Sequence, residues 1–254
     1  MKCRIQKQES SRNMLATNVS VCMIAKNCSD VLPVSLGWAT QNFEEVNVVV
    51  DVQNSDATDA VLATFSDKMN INIISRRFDN FSSQKNAAFD MATRPWILSV
   101  DSDEIFEDGI PWDNILRPLE YGKVDVAAFD LYNLQIDKHH FKRPILPKPR
   151  LIRKSIAKMD GKPADEGLDL FNKKLILYPY ALIHFGHIRD RDHLLLKGKD
   201  RIKFVDDDPC DGPGMKIHGE NWFIERNKEW EKEGIVEVPF HVKLTIEKYA
   251  KEFI

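Results

Sequence analysis

The chain has 254 residues, of which 43% are hydrophobic and 30% charged, a composition typical of a globular protein with a substantial core. Its net charge of -3 argues against broad electrostatic binding to nucleic acid or acidic membranes. No apolar run reaches the roughly 18 residues of a membrane span, and the polar N-terminus lacks the apolar core of a secretory signal. Residues 1–18 are therefore predicted to be a flexible tail. The four cysteines show no Cys-x-x-Cys spacing, which favours reduced thiols in a cytoplasmic protein, with peripheral membrane contact left open.

Strand and helix patterns alternate through the first part of the chain. β-rich apolar runs predict strands at 19–27, 46–52, 71–78 and 96–101. Helical patterns lie between them, at 29–41, 55–69 and 82–93. Ser29 or Asp30 is expected to cap the first helix, with Pro33 in its first turn. This alternation predicts an α/β fold with a mainly parallel central sheet flanked by helices.

The pattern changes after residue 108. Strands are predicted at 125–136 and 175–185, and a basic, proline-containing segment at 138–154 predicts a loop that enters an edge strand. A helix is predicted at 191–205, with Gly198 as a weak point, then a loop at 205–214 and a surface helix at 219–234. Because no repeat or interdomain linker is visible, we predict one domain at 19–254, with functional halves at 19–108 and 109–254.

Acidic residues stand where the predicted parallel strands end. Asp51 closes the second strand, and Asp101 and Asp103 close the fourth. Ligands of open parallel sheets bind beyond the carboxyl ends of the strands, so all three carboxylates are expected in one crevice. Asp101 and Asp103 would point to the same side of an extended chain and repel each other unless a cation lies between them. Mg²⁺ or Mn²⁺ suits such oxygen ligands and shares its shell with phosphates. Asp-x-Asp alone also occurs in solvated loops and helix caps.

Four motifs in order make the assignment more specific. The chain resembles the family 2 glycosyltransferases, which have the GT-A fold with a Rossmann-like sheet, in "VSVCMIAKN", "VVVDVQNSDATD", "SSQKNAAFDMAT" and "WILSVDSDE". The segments "PRLIRKSIAKMDGKPADEG" and "ALIHFGHIRDRDHLLLKGKDR" resemble the bacterial lipopolysaccharide-core-type branch. The chain departs from that branch at Asp165, which stands where the branch has a histidine, so only Glu166 of its His-Glu pair is matched.

The resemblance implies an inverting hexosyl- or pentosyltransferase that uses Mn²⁺ or Mg²⁺. The donor would be a UDP-, GDP- or dTDP-sugar, and the acceptor a glycan, a glycolipid or another hydroxyl compound. Glu166 would be the catalytic base, with Asp165 as the second choice. Lys197, Lys199 and Arg201 would face the departing diphosphate. The implied donor-binding residues are Ala25, Asn27, Asp51, Lys85, Asn86, Asp101, Ser102 and Asp103. The implied metal ligands are Asp103, Asp101, His184 and His187.

Other functions fit parts of the pattern. A nucleotidyltransferase that makes nucleotide sugars would show a glycine-rich loop after the first strand, whereas this chain has "IAKNCSD" there. A phosphatase with an aspartyl nucleophile would carry Asp-x-Asp on its first strand. A sugar-binding module that has lost catalysis would not need both Asp101 and Asp103. The sequence does not indicate nucleic acid as a partner, and it does not identify the sugar or the acceptor.

Overall fold

A computed structural model describes residues 16–68, 70–122, 124–163, 167–204, 206, 212–230 and 234–251. The first strand, β1, begins at Ala16 and pairs there with Phe43. Residues 16–18 of the predicted tail therefore belong to the sheet. The strand begins three residues before the apolar run from which it was predicted. Residues 1–15 lie outside the described residues.

The first part of the chain forms the parallel half of the sheet. Its elements are β1 Ala16–Ala25, α1 Leu32–Asn42, β2 Phe43–Asp51, α2 Thr58–Phe65, β3 Ile71–Arg76, α3 Phe81–Met91 and β4 Trp96–Ser99. The strands pair in parallel in the order β3-β2-β1-β4. The predicted alternation is confirmed, and we call these four strands the parallel part. The N-cap of α1 is Val31, which makes no side-chain cap, so the expected cap at Ser29 or Asp30 is wrong.

The second part of the chain extends this sheet with mixed pairings. Its strands are β5 Glu104–Phe106, β6 Val126–Asn133, β7 His140–Lys142, β8 Leu146–Arg153, β9 Leu175–His184 and β10 Ile235–Glu237. Its helices are α4 Trp112–Glu120, α5 Arg191–Arg201, α6 Gly212–His218, α7 Trp222–Trp230 and α8 Phe240–Tyr249. The eight-stranded sheet has the order β3-β2-β1-β4-β8-β6-β9-β5, and β10 pairs separately with β7.

Strand β8 lies in the middle of the sheet, which corrects the predicted edge strand. It pairs antiparallel with β4 on one side and with β6 on the other. The proline content suggested an edge, but Pro147 and Pro149 lie in the part of β8 that pairs only with β6. Residues 151–153 carry the pairing with β4, so the prolines interrupt no hydrogen bonds between these two strands.

The hydrophobic core is unevenly distributed. One large cluster packs α1, α4 and α8 against the sheet and includes a chain of aromatic contacts from Trp38 through Phe106 to Phe129. Among the described side chains, a separate cluster within α5, α6 and α7 has Leu194, Met215 and Phe223 as its buried members. These three helices therefore have little apolar core of their own. Within the described ranges, no helix has both the length and the apolar character that crossing a membrane requires.

Candidate active site

A cavity of about 710 Å³ opens at the carboxyl ends of β1 and β4. Its volume falls within the range of about 300–1,000 Å³ that is typical of small-molecule sites. The parallel part forms one wall, β6, β8 and β9 form another, and α5 and α7 lie across it. We call α5, α6 and α7 the helical cover. The charged lining residues are Lys26, Lys85, Lys148, Arg150, Lys197, Arg189, Arg201, Arg226, Asp101, Asp103, Glu104 and Asp200.

The acids after β4 lie in a turn rather than in an extended strand. β4 ends at Ser99, and the backbone N–H of Glu104 donates to the carbonyl of Asp101 at 3.0 Å. Ser102 contributes its carbonyl, which accepts from the Ser35 hydroxyl at 2.7 Å. The argument from strand alternation was therefore wrong, because the strand stops before the first acid. The turn nevertheless brings both Asp101 and Asp103 to the cavity.

Basic side chains from distant parts of the chain neutralise Asp101 and Glu104. Lys85 lies 2.7 Å from Asp101, and Arg150 lies 3.1 Å from Asp101 and 2.6 Å from Glu104. Burial acts to raise the pKa of Asp101, but the charges of Lys85 and Arg150 outweigh it and lower this pKa to about 2. Asp101 is thus an anion that already has two cationic partners.

Asp103 faces His184 across a narrow gap. The Asp103 Oδ2 and His184 Nε2 atoms are 3.3 Å apart, and Lys197 Nζ lies 3.5 Å from the same oxygen. Burial acts to raise the pKa of Asp103, but His184 and Lys197 hold it well below its usual value. A Cβ at Gly186 would come close to His184 Nε2 and Asp103 Oδ2, so any larger residue there would have to displace these two side-chain ends.

The pair of Asp103 and His184 fits a divalent cation. His184 Nδ1 lies 2.8 Å from the side-chain oxygen of Asn133, an arrangement in which the ring donates from Nδ1, so that in the neutral ring Nε2 is an acceptor. Two acceptors facing each other attract only through a proton or a cation between them. Metal-bound histidines commonly donate their other ring N–H to an oxygen in this way. The donor set therefore suits an ion that takes its other ligands from phosphate and water.

The four predicted metal ligands do not form one compact set. No three of Asp101, Asp103, His184 and His187 bring donor atoms within 4.8 Å of one another. Asp101 is held by its cationic partners, and His187 packs with its ring perpendicular to His184 at 5.0 Å between centroids. Burial, followed by the charges of His184 and Arg226, lowers the pKa of His187 well below its usual value.

A second group of possible ligands lies outside the cavity lining. Single donor atoms of Asp30, Asp190 and His193 lie within 4.8 Å of one another. Arg189 already binds the Asp30 carboxylate with two hydrogen bonds, at 2.9 and 2.6 Å. His193 also contacts Asp56 of the loop before α2, at 3.4 Å. This group therefore joins α5 to the loops that follow β1 and β2.

Asp51 is enclosed instead of lining the cavity. It is 1% exposed, accepts from the backbone N–H groups of Gln53 and Phe78, and lies 3.0 Å from Lys26 Nζ. Lys26 is the lining residue, and it also contacts Asp200 of α5 at 2.8 Å. Burial opposes ionisation of Asp51, but its hydrogen bond from Lys26 and those from the backbone lower its pKa.

The remaining predicted donor residues divide between the cavity and the surrounding structure. Ala25, Asn27, Lys85 and Ser102 line the cavity. Asn27, at a positive φ of 47°, donates through its side chain to Asp200 at 3.0 Å. Asn86 does not line the cavity, because its side-chain oxygen accepts from the backbone of Met159. The two predicted catalytic acids, Asp165 and Glu166, lie outside the described residues.

Some lining residues had weak sequence signals and others had none. The spacing of four residues between Lys197 and Arg201 places both on the cavity side of α5, whereas Lys199 pairs with Glu220 outside the lining. The weak point expected at Gly198 is instead a close contact, since a Cβ there would lie 2.1 Å from the Glu220 carbonyl. Arg226 and Gln84 were not predicted from the sequence. The expected surface helix, α7, buries Phe223 and Arg226 against the cavity.

The fold and this site define an α/β protein with a partly cationic cavity at the carboxyl edge of a parallel sheet, the edge at which ligands of open α/β sheets bind. The sequence profile of glycosyl transferase family 2 matches residues 20–182, which is more than half of the chain. The chain belongs to glycosyl transferase family 2.

Individual relatives are more distant. A TPR repeat-containing protein of Synechococcus elongatus is 33% identical over 86 residues, which are 34% of this chain and 20% of that protein. The match thus spans about a fifth of the length of the curated relative. S. aureus TarS 1-349 in complex with UDP-GlcNAc has a TM-score of 0.52 at 14% identity, with 90% of this chain and 83% of that chain covered. The complex of the same protein with UDP has a TM-score of 0.51 at 13% identity, with 84% and 83% covered. These likenesses confirm the predicted GT-A fold.

Proposed function

We propose that this chain transfers a hexose or pentose from a nucleoside diphosphate sugar to a hydroxyl acceptor, with inversion at the anomeric carbon. The observation that carries the proposal is the cavity beyond β1 and β4, where acids at a strand end lie among an excess of basic side chains. Carboxylates alone would repel a diphosphate. Lysine and arginine from four different elements, α3, β8, α5 and α7, make the site attractive to one.

The diphosphate would lie against the helical cover. Lys197 and Arg201 of α5 and Arg226 of α7 all line the cavity. Burial, together with the neighbouring Arg189, Arg201 and Arg226, lowers the pKa of Lys197, although Asp103 opposes this shift. A diphosphate bound beside these groups would reduce their mutual repulsion, so donor binding is expected to hold the cover against the sheet.

Asp103 and His184 would hold the metal, with Asp101 orienting Lys85 and Arg150 rather than acting as a direct ligand. A bound Mn²⁺ or Mg²⁺ ion would neutralise charge on the leaving diphosphate. With its Nδ1 facing the Asn133 oxygen, His184 would present Nε2 to the metal.

Glu166 is proposed as the base that removes the proton from the acceptor hydroxyl as its oxygen bonds to the anomeric carbon and the nucleoside diphosphate leaves. Asp165 is the second choice. The assignment rests on the resemblance of this segment to the lipopolysaccharide-core-type branch. Residues 19–108 would bind the nucleotide-sugar donor, while residues 109–254 would bind the acceptor, a glycan, a glycolipid or another hydroxyl compound, and would also contribute His184 and the helical cover to the diphosphate end of the donor site. The UDP and UDP-GlcNAc complexes of TarS favour a UDP-sugar, with GDP- and dTDP-sugars as alternatives.

Calorimetry with UDP, GDP and dTDP, each with and without Mn²⁺ or Mg²⁺, tests the proposal. We expect one of the three nucleotides to bind more tightly with metal, and Asp103→Asn to abolish the metal dependence. Asp190→Asn is the matched control, because Asp190 belongs to the second group of possible ligands and not to the cavity lining. If Asp190→Asn loses the metal dependence and Asp103→Asn keeps it, the metal is bound by the group of Asp30, Asp190 and His193 instead. Failure of the wild type to bind any of these nucleotides would overturn the proposal.

A further inference from the structure

Gln84 carries a buried carboxamide that has no partner in the part of the chain that is described. The residue lies on α3 and is only 1% exposed, yet its side chain lines the cavity. Within the described ranges, neither its Oε1 nor its Nε2 atom has a hydrogen-bond partner. Leaving a buried donor and a buried acceptor unpaired is unfavourable, so a group that is unsatisfied in the protein alone indicates a polar ligand in the cavity.

The surroundings of Gln84 differ from the charged end of the cavity. Phe81 lies one turn earlier on α3, and its ring packs against Phe78 at 4.9 Å between centroids. Phe204, just after α5, packs on both rings. The Lys26 ammonium lies 5.3 Å from the Phe78 ring centre. This end of the cavity is therefore lined by the aromatic rings of Phe78 and Phe81, beside the Lys26 ammonium and the Arg201 guanidinium, whereas Asp103, His184 and Lys197 lie at another part of the lining.

A carboxamide offers one hydrogen-bond acceptor beside one donor. A diphosphate presents acceptors only, so it could satisfy Nε2 but not Oε1. The edge of a nucleobase presents a donor next to an acceptor, and glutamine can bind such an edge with two hydrogen bonds. Aromatic side chains in the lining also suit a planar base better than a sugar with hydroxyl groups on both faces.

We propose that Gln84 binds the nucleobase of the donor through both carboxamide atoms and thereby selects the base. Oε1 would accept from a ring N–H or an amino group, and Nε2 would donate to a neighbouring carbonyl or ring nitrogen. The inference rests on the proposed function, since it requires a nucleotide in this cavity.

The test compares the binding of UDP, dTDP, GDP, ADP and CDP to the wild type and to Gln84→Met by calorimetry. Methionine has a similar volume but makes neither hydrogen bond. For the nucleotide that the wild type prefers, we expect the affinity to fall at least about fivefold, the lower end of the discrimination from a two-bond base contact. The preference among the five bases should shrink by a similar factor. Binding of inorganic pyrophosphate should be unchanged.

Gln135→Met is the matched control. Gln135 is also fully buried with both carboxamide atoms unpartnered among the described residues, but its side chain does not line the cavity. Neither substitution should lower the melting temperature of the unliganded protein, because each removes an unpaired buried polar group. Only Gln84→Met should change nucleotide binding. Gln84→Asn, which keeps the carboxamide but withdraws it by one carbon, should also weaken the base preference.

The outcomes separate this inference from the proposed function. If the wild type binds none of the five nucleotides, the proposed function and this inference both fail. If the wild type shows a base preference that Gln84→Met retains, the inference alone fails, and the carboxamide is satisfied by water. A uniform loss for all five nucleotides with the preference intact would place Gln84 against the ribose and would also overturn the inference.

Discussion

The parallel part and the helical cover supply side chains to the same cavity in different ways. In the parallel part, side chains reach the cavity from strand ends and from the helix that precedes β4, as Lys26, Lys85 and Asp101 do. The cover supplies Lys197 and Arg226 from helix faces. The first arrangement follows from sheet topology alone, whereas the second depends on where the helices dock.

The two regions also differ in what holds them together. The parallel part contributes to the large apolar cluster, whereas the described side chains of the cover include three buried apolar residues in a cluster of their own. Polar contacts join α5 to the loops of the parallel part, through Asp200 to Lys26 and Asn27 and through His193 to Asp56. Polar contacts in a partly solvated site contribute less than apolar packing, so the cover is expected to open at lower free energy than the sheet.

The largest expected effect is on the turnover number and comes from Glu166, the proposed base in residues 109–254. Its substitution should affect catalysis and not nucleotide binding. Removing a general base typically slows turnover by about 10²–10⁴-fold, or about 2.7–5.4 kcal/mol of barrier. We therefore expect Glu166→Gln to lower kcat at least about a hundredfold with nucleotide affinity nearly unchanged. Steady-state kinetics and calorimetry check the two quantities. Asp165→Asn should be milder, and the reverse ranking would make Asp165 the base.

The second expected effect tests the junction between the two halves of the sheet. Arg150 on β8 pairs with Asp101 and Glu104, and removing it would leave the buried Glu104 carboxylate without this partner. Removing one partner of a buried ion pair costs about 3–5 kcal/mol, so Arg150→Met should lower the free energy of unfolding by that amount in urea denaturation. The double variant with Glu104→Leu should recover much of the loss. An Arg150→Met variant as stable as the wild type would show that Glu104 is held by other groups.

A pair of glycine substitutions compares helix packing in the two regions. A Cβ at Gly198 in α5 would lie 2.1 Å from the backbone carbonyl of Glu220, whereas a Cβ at Gly37 in α1 would meet nothing within 4 Å. Overpacking typically costs about 1–3 kcal/mol, so Gly198→Ala should destabilise the cover and weaken nucleotide binding. Gly37→Ala should stabilise the protein by about 0.5–1 kcal/mol. Thermal unfolding and calorimetry of both variants check this, and equal effects would contradict the difference in packing.

The smallest expected effect concerns a buried acid that lies away from the cavity. Glu45 of β2 accepts hydrogen bonds from Ser20, Asn47 and Thr93. Burial acts to raise its pKa, but these hydrogen bonds outweigh burial and lower it. Because the pKa of Glu45 is lower in the folded state, its stabilisation is complete above the unfolded pKa of about 4.3 and is lost as pH falls through the folded value.

Glu45→Gln should therefore reduce the free energy of unfolding at pH 7 by about 1 kcal/mol, the net value of a typical hydrogen bond. The difference from the wild type should shrink at pH 3. Urea denaturation at both pH values measures it. If the difference in free energy of unfolding between the two proteins were larger at pH 3 than at pH 7, the pKa of Glu45 would be raised in the folded state and not lowered.

Much of the parallel part could be predicted from local patterns in the sequence. The strands and helices up to β4 follow from hydrophobic periodicity. Lys85 lies on the helix before β4 and Asp101 follows β4, so the sequence positions both near the carboxyl edge of the sheet. Short β5 and the position of β8 could not be predicted in this way. A three-residue strand carries little periodicity, and the prolines of β8 are typical of an edge until the pairing with both β4 and β6 is known.

The sequence by itself determined the α/β alternation, the family and the presence of acids at the end of β4, because each of these depends on residues that are close along the chain. Only the tertiary structure decided which cation faces each acid, because Arg150 and Lys197 reach the acids through strand order and helix docking. It also decided that Asp51 is enclosed behind Lys26 and that Gln84, a cavity-lining residue, has no side-chain partner among the described residues. Whether a polar group is satisfied depends on all of its neighbours in space, and the spacing of residues along one segment carries no information about them.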